Sequence, residues 1–159
     1  MDQIEKICGI LEKKAELFEE YEEASLQLLY NEADEWEHWM TRRQSLIEQI
    51  DFLDAQMAQL WEEMGEFSVP AQNAASLKCR RSQLPECIWP IFDKAQCVFA
   101  AANRVREKEP LIARRIEDEM SVLAQKIKDH NKSAGAQAAR YSAGADTGTA
   151  AYGGSSRKV

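Results

Sequence analysis

The sequence predicts an all-α fold: an elongated antiparallel three-helix bundle, or coiled-coil hairpin, with a long kinked third helix and a flexible C-terminal tail. Three observations carry this. Apolar residues at heptad spacing run from Trp36 to Met64 with no Gly or Pro between them. A joint of a few residues, Asn31 to Asp34, separates that run from an earlier one of the same period. After Lys132 the composition collapses to Ala, Gly, Ser and Thr. Both apolar runs have the helical period, not the alternation of a strand.

The first helix is expected over 2–30. Asp2 suits an N-cap, with Glu5 three residues on as its box partner. Ile4, Leu11 and Phe18 form one row, and Ile7, Tyr21 and Leu28 another. Lys14 interrupts the second row and can snorkel. The cluster Glu19, Glu20, Glu22, Glu23 reads as a solvated face. So short a joint makes the next helix an antiparallel neighbour, capped by Asn31 or Asp34.

The second helix is expected over 34–64. Trp36, Arg43, Ile50, Met57 and Met64 lie on one seam, and Trp39, Leu46, Leu53 and Leu60 on the other. Met40, Ile47 and Trp61 widen the stripe, which suits a helix with two neighbours. The rod would be roughly 40–45 Å long at about 1.5 Å per residue. Gly65 ends it. The linker 65–87 holds Pro70, Pro85 and the basic run Lys78-Cys79-Arg80-Arg81, with a short helix expected over 71–81.

The third helix is expected over 88–132. Ile91, Val98 and Val105 form a row, and Ala95 and Ala102 permit close approach. Pro110 removes a backbone donor and biases Glu109 away from helical geometry, so a kink or short break is expected there. Beyond it Leu111, Ile112, Ile116, Met120, Leu123 and Ile127 resume an apolar stripe. Residues 1–132 thus form one helical domain. Residues 133–159 form a tail that cannot bury enough to offset its ordering entropy. Tyr141 and Tyr152 are the large apolar groups in it.

Charge is divided unevenly. Residues 1–66 carry 18 Asp+Glu and 5 Lys+Arg, a balance of −13, and residues 67–159 carry 9 and 15, a balance of +6. An acidic hairpin folding against a basic helix accounts for this. Scattered basic residues and a net charge of −7 argue against nucleic acid as a partner. No leader-like segment opens the sequence and no apolar run approaches the ~20 residues of a span, so a cytoplasmic protein is expected.

Arg43 and Glu109 are charged residues on seams of different helices. Arg43 lies 21 residues before Met64 and Glu109 lies 21 after Ile88, so an antiparallel arrangement puts them at one level. They are expected to pair as a structural ion pair, with Glu22 as the alternative carboxylate. Such a pair fixes register more than it adds stability.

No catalytic constellation is expected. The sequence has no G-x-S-x-G, P-loop, dinucleotide fingerprint or H-E-x-x-H. His38 and His130 read as surface residues. Cys8, Cys79, Cys87 and Cys97 lack ligand spacing and read as reduced thiols, with Cys8 and Cys97 on or near buried faces. No cofactor or metal is implied. The residues point to a non-enzymatic protein that binds an amphipathic helix in a groove or on a stripe. A structural coiled-coil or adaptor subunit, with the stripe as a homodimer seam, is the alternative.

The acidic lead-in Glu32–Glu35, then Trp36, then Arg43-Gln44-Ser45-Leu46-Ile47 resembles the second helix of bacterial flagellar export chaperones of the FlgN and FliT type. The layout is similar too: a short acidic helical protein, a hairpin, a long third helix, and a small-residue C-terminal segment with a tyrosine. The resemblance implies a type III secretion chaperone that binds the C-terminal amphipathic helix of a hook-associated or filament-cap protein. It would keep that client from assembling early and deliver it to the membrane export gate. It implies client binding at Leu111, Ile112, Ile116, Met120, Leu123 and Ile127. It also implies docking on the cytoplasmic domain of the export-gate protein through Tyr152 or Tyr141. The long basic, cysteine-bearing linker and the Gly/Ala-rich tail depart from the family pattern.

Overall fold

A computed structural model describes residues 2–148, all-α among those residues. The helices are α1 (Asp2–Tyr30), α2 (Trp36–Glu63), α3 (Ser68–Ala75) and α4 (Trp89–Gly148), with single 3₁₀ turns at Ala33–Glu35, Gly65–Phe67, Arg81–Gln83 and Glu86–Ile88. The chain divides into two units, Met1–Arg115 and Ile116–Val159.

In the first unit α1 and α2 form the expected hairpin, and residues 89–115 of α4 pack on it. One core cluster joins Ile7 and Leu11 of α1, Met57 of α2, and Ile88, Ile91, Ala95 and Val98 at the start of α4. A smaller one, Leu17 with Leu46 and Ile50, closes the middle of the hairpin. Each large apolar side chain so buried contributes about 1.5–3 kcal/mol relative to exposure. Helix α2 does touch more than one neighbour, through Met57, Leu60 and Trp61, but the flanking Met40 and Ile47 are exposed and take no part in those contacts.

The linker is more ordered than its composition suggests. Its helix is α3, Ser68–Ala75, three residues earlier than expected, because Pro70 is tolerated in a first turn where no backbone donor is needed. Ala71 and Ala74 are fully buried in the larger cluster, their small size allowing α3 to approach closely. Leu77 adopts a left-handed φ of 52° and ends α3. Its N–H donates to the Ala74 carbonyl, and the Lys78 N–H donates to the Asn73 carbonyl, the two bonds of a Schellman stop. Gly65, φ 59°, does the corresponding work after α2 at no steric cost. The basic run is used internally: Arg81 makes two hydrogen bonds to Asp93 and stacks on Trp89, whose indole N–H donates to the carbonyls of Arg81 and Leu84.

The charge asymmetry resolves as contacts between α1 and α4. Lys94 pairs with Glu12, Arg104 with Glu19 and Glu22, and Lys108 with Glu22. Arg115 donates to the carbonyls of Leu28 and Asn31 and lies over the Trp36 ring, so it satisfies orphan acceptors at the end of α1. Asp2 is already helical and pairs with Lys6, one turn on, instead of capping. Neither Asn31 nor Asp34 caps α2 through its side chain; the 3₁₀ turn at Ala33–Glu35 leads into it.

Two boundaries differ from expectation. Helix α4 is uninterrupted at Pro110, so of the kink or short break expected there the break does not occur. Packing of Val105 and Ile112 on either side of Pro110 holds the helix against the loss of one hydrogen bond. The helix also continues from Lys132 to Gly148, where a flexible tail was expected. Ala134, Ala136, Ala138 and Ala139 extend a helix that already exists, so no new nucleus has to form.

Gly9 lies inside α1 on an open face, and a Cβ there would meet nothing within 4 Å. Gly9→Ala should therefore raise stability by about 0.5–1 kcal/mol through helix propensity alone, measured by thermal or urea unfolding. No gain, or a loss, would show that this face is packed against something.

Candidate functional site: an exposed apolar stripe

Ile116, Met120, Leu123 and Ile127 follow one another at four, three and four residues, so a helix brings them to one face. Met120 is 64% exposed, Leu123 58% and Ile127 53%, and Ile116 is half-buried. Side chains of this size exposed in a row are a surface that a partner could cover. The rest of the second unit offers no comparable apolar row among the described residues.

Two residues assigned to this stripe do not belong to it. Ile112 is 3% exposed and belongs to the interior of the first unit, where a client could not reach it. Leu111 is exposed, but one residue earlier it points roughly 100° round the helix from Ile112 and onto another flank. The sequence shows an unbroken apolar pattern from 112 to 127 because the same face is core up to Ile112 and surface after Ile116. Nothing in the pattern marks that change.

Tyr141 is helical and exposed. It lies two heptads beyond Ile127, hence on the same face as the stripe. Ala134, one heptad on, was not assigned to the stripe; its small side chain hid the continuation. Tyr152 lies outside the described residues.

The Arg43 site lies in the first unit. Arg43 is 7% exposed, and its Nη2 donates to Glu109 Oε1 and to the Tyr21 hydroxyl, the latter at 2.7 Å. Its guanidinium lies 4.6 Å from the Tyr21 ring centroid. Glu109 is thus the partner, and Glu22 is taken by Arg104 and Lys108. Tyr21 is a third member that the apolar pattern hides, since it reads there as one more apolar position of α1. The Arg43 Nε–H has no partner among the described residues. The contacts described for this group join α1, α2 and α4 of the first unit.

A second surface in the first unit was not foreseen. Two adjoining hollows of about 410 and 300 Å³ lie between α1 and α2, sharing Lys13 and Leu53. Gly9 and Ile10 open one end, and Phe52, exposed, borders the other. The only sequence signal for it is Gly9, a missing side chain on an otherwise filled helix.

The thiols are all free among the described residues. Cys97 is exposed, contrary to expectation, because Val98 next to it takes the buried position. Burial pushes the Cys8 thiol above its ordinary value, only partly offset by Lys94 nearby. In an alkylation time course at neutral pH, Cys97 should react well before Cys8, since the thiolate is the reactive form and Cys8 is both protonated and partly covered. Equal rates, read by peptide mass spectrometry, would contradict this placement. His38 is exposed and lies edge-on to Trp39, and His130 is exposed. No group of His, Cys, Asp and Glu among the described residues could hold a metal.

No family model, curated protein or solved structure matches the chain. Fold and site together define an all-α helical bundle protein with an exposed apolar stripe on its last helix. No described helix is long and apolar enough to cross a membrane.

Proposed function

We propose that the chain is a non-enzymatic, cytoplasmic secretion chaperone whose second unit captures an amphipathic helix of a client protein. The observation that carries this is the exposed row Met120, Leu123 and Ile127. An amphipathic helix laid along it would bury apolar faces on both partners, the helix-on-helix mode of recognition. The flagellar assignment rests on the resemblance at Glu32–Ile47. On that reading the client is the C-terminal helix of a hook-associated or filament-cap protein, held monomeric until export. Tyr141 or Tyr152 then docks the loaded chaperone on the export-gate protein.

The test is binding of synthetic C-terminal helices from hook-associated and cap proteins to the full chain, followed by fluorescence anisotropy. Saturable binding that Met120→Asp with Leu123→Asp removes supports the proposal. No binding by any such helix, or binding that survives the double substitution, overturns it. The α1/α2 furrow would be the next surface to test in the latter case.

A further inference from the structure

The furrow between α1 and α2 has a repeat along its length. Ile10 and Leu17 on α1 lie one heptad apart, as do Leu53 and Leu60 on α2, and these four side chains form its apolar floor. No residue of α4 lines either hollow. Phe52, 64% exposed, stands beside the floor as an uncovered apolar wall. Gly9 leaves a gap in the opposite bank. A glycine inside a helix weakens it. None of the usual reasons for one applies here: the Gly9 φ is not positive, the residue lies well inside α1, and an added Cβ meets nothing within 4 Å. What the missing side chain does is hold the furrow open. An apolar floor at heptad intervals with a hole in one bank is the surface on which a further helix packs.

The two banks differ in charge. Lys6 and Lys13 stand one heptad apart on the α1 bank. Their partners within the chain, Asp2 and Glu16, are exposed neighbours on the same helix, and pairs of that kind are weak and exchange readily. The α2 bank offers the amides of Gln49, Gln56 and Gln59. Its carboxylates, Glu48 and Glu63, lie fifteen residues apart, roughly 22 Å at about 1.5 Å per residue, and so stand at the two ends. We propose that this furrow is a separate helix-docking groove, and that its occupant is an amphipathic helix of another protein with acidic residues one heptad apart along the edge that meets Lys6 and Lys13. The edge over the glutamines carries uncharged polar residues. A basic edge on the α1 side would meet like charge at both turns, and turned over the glutamines it would leave both lysines unmatched.

A second copy of the chain does not meet this description. Its furrow is as concave as this one, so neither fills the other. The apolar row of its α4 has Glu119 and, one heptad on, Lys126 along one edge, and Glu117 followed by Ala124 along the other. Neither edge sets two carboxylates against the lysines. The inference does not rest on capture at Met120, Leu123 and Ile127, and each can fail alone.

The experiment uses two stapled, fluorescein-labelled helical peptides of about three heptads, with leucine at the a and d positions and glutamine along one edge. Along the other edge one peptide carries glutamate and the other lysine. Anisotropy is read on the full chain carrying Met120→Asp and Leu123→Asp, which keeps the peptides off the α4 row. The glutamate peptide should bind saturably, and the lysine peptide about fivefold more weakly or worse. Adding Lys6→Glu with Lys13→Glu should reverse that preference. Gly9→Leu, and separately Phe52→Asp, should each weaken binding by about tenfold or more. Circular dichroism and urea unfolding should show the fold kept in both, since Gly9 faces open space and Phe52 is exposed. No saturable binding of the glutamate peptide would overturn the proposal. So would equal affinity for the two peptides, a preference that the lysine reversals leave in place, or binding indifferent to Gly9→Leu. A dimer in sedimentation that Gly9→Leu dissociates would also overturn it, since the occupant would then be a second copy.

Discussion

Arg43→Ala should lower the free energy of unfolding by about 3 kcal/mol, and Glu109→Ala by about 2, with Arg43→Met plus Glu109→Gln costing less than either. The arginine is almost wholly buried and already leaves its Nε–H unpartnered, so its charge depends on Glu109 and the Tyr21 hydroxyl. Removing the carboxylate strands that charge. Part of the cost is relieved because the Glu109 side chain is 44% exposed and water can approach the pair, hence the smaller figure for Glu109→Ala. Removing the arginine also opens a hole between α1, α2 and α4, which adds a packing cost. The double substitution avoids both penalties by putting an apolar side chain of similar length in the hole beside a neutral one. Urea unfolding of wild type and the three variants gives these three costs directly. An Arg43→Ala cost no larger than that of an ordinary surface substitution would mean the guanidinium is not held as described.

The reasons this pair was legible and the stripe's boundary was not are physical. Heptad period and a short joint fix which helices are neighbours and which way they run, so a charged residue on one seam can be matched by level to a charged residue on another. That argument needs only rise per residue, and it named Glu109 without any knowledge of side-chain placement. Burial is different. Whether an apolar position faces a neighbour or water depends on where the neighbour ends, and α1 and α2 turn over at 31–35, level with the part of α4 that holds Arg115. The sequence of α4 carries no mark of that. Ile112 and Met120 look alike in it, yet one is core and the other surface.

The remaining differences share a cause as well. Taken as isolated peptides, Pro110 predicts a kink or a short break and the alanine-rich segment a tail. A proline inside a helix costs one hydrogen bond and a steric clash, and neighbouring packed turns can absorb that. Alanines without any burial cannot start a helix but can lengthen one. Likewise the linker reads as irregular because Pro70, Pro85 and the basic run leave it little apolar periodicity. Ala71 and Ala74 are buried by close approach, which hydrophobic periodicity does not report.

Met120→Asp with Leu123→Asp should abolish client capture, weakening it by at least about 100-fold, while changing the unfolding free energy by no more than about 1 kcal/mol. Both side chains are more than half exposed in the lone chain, so the substitutions strip little from its own core. They do lower helix propensity, by a few tenths of a kcal/mol each. In a complex the same positions would be the centre of the covered strip, and two carboxylates there would have to be desolvated against an apolar face. Ile112→Asp should behave in the opposite way. It places a carboxylate in the interior of the first unit, so several kcal/mol of stability are lost and any effect on capture follows from unfolding. Measuring unfolding and peptide binding on both variants separates the two roles of what the sequence presents as one row. If Ile112→Asp were tolerated and Met120→Asp with Leu123→Asp unfolded the chain, core and surface on α4 would be the reverse of those described. If both variants stayed folded and bound peptide, capture would have to occur elsewhere, and the furrow beside Gly9 and Leu53 is the next surface to test.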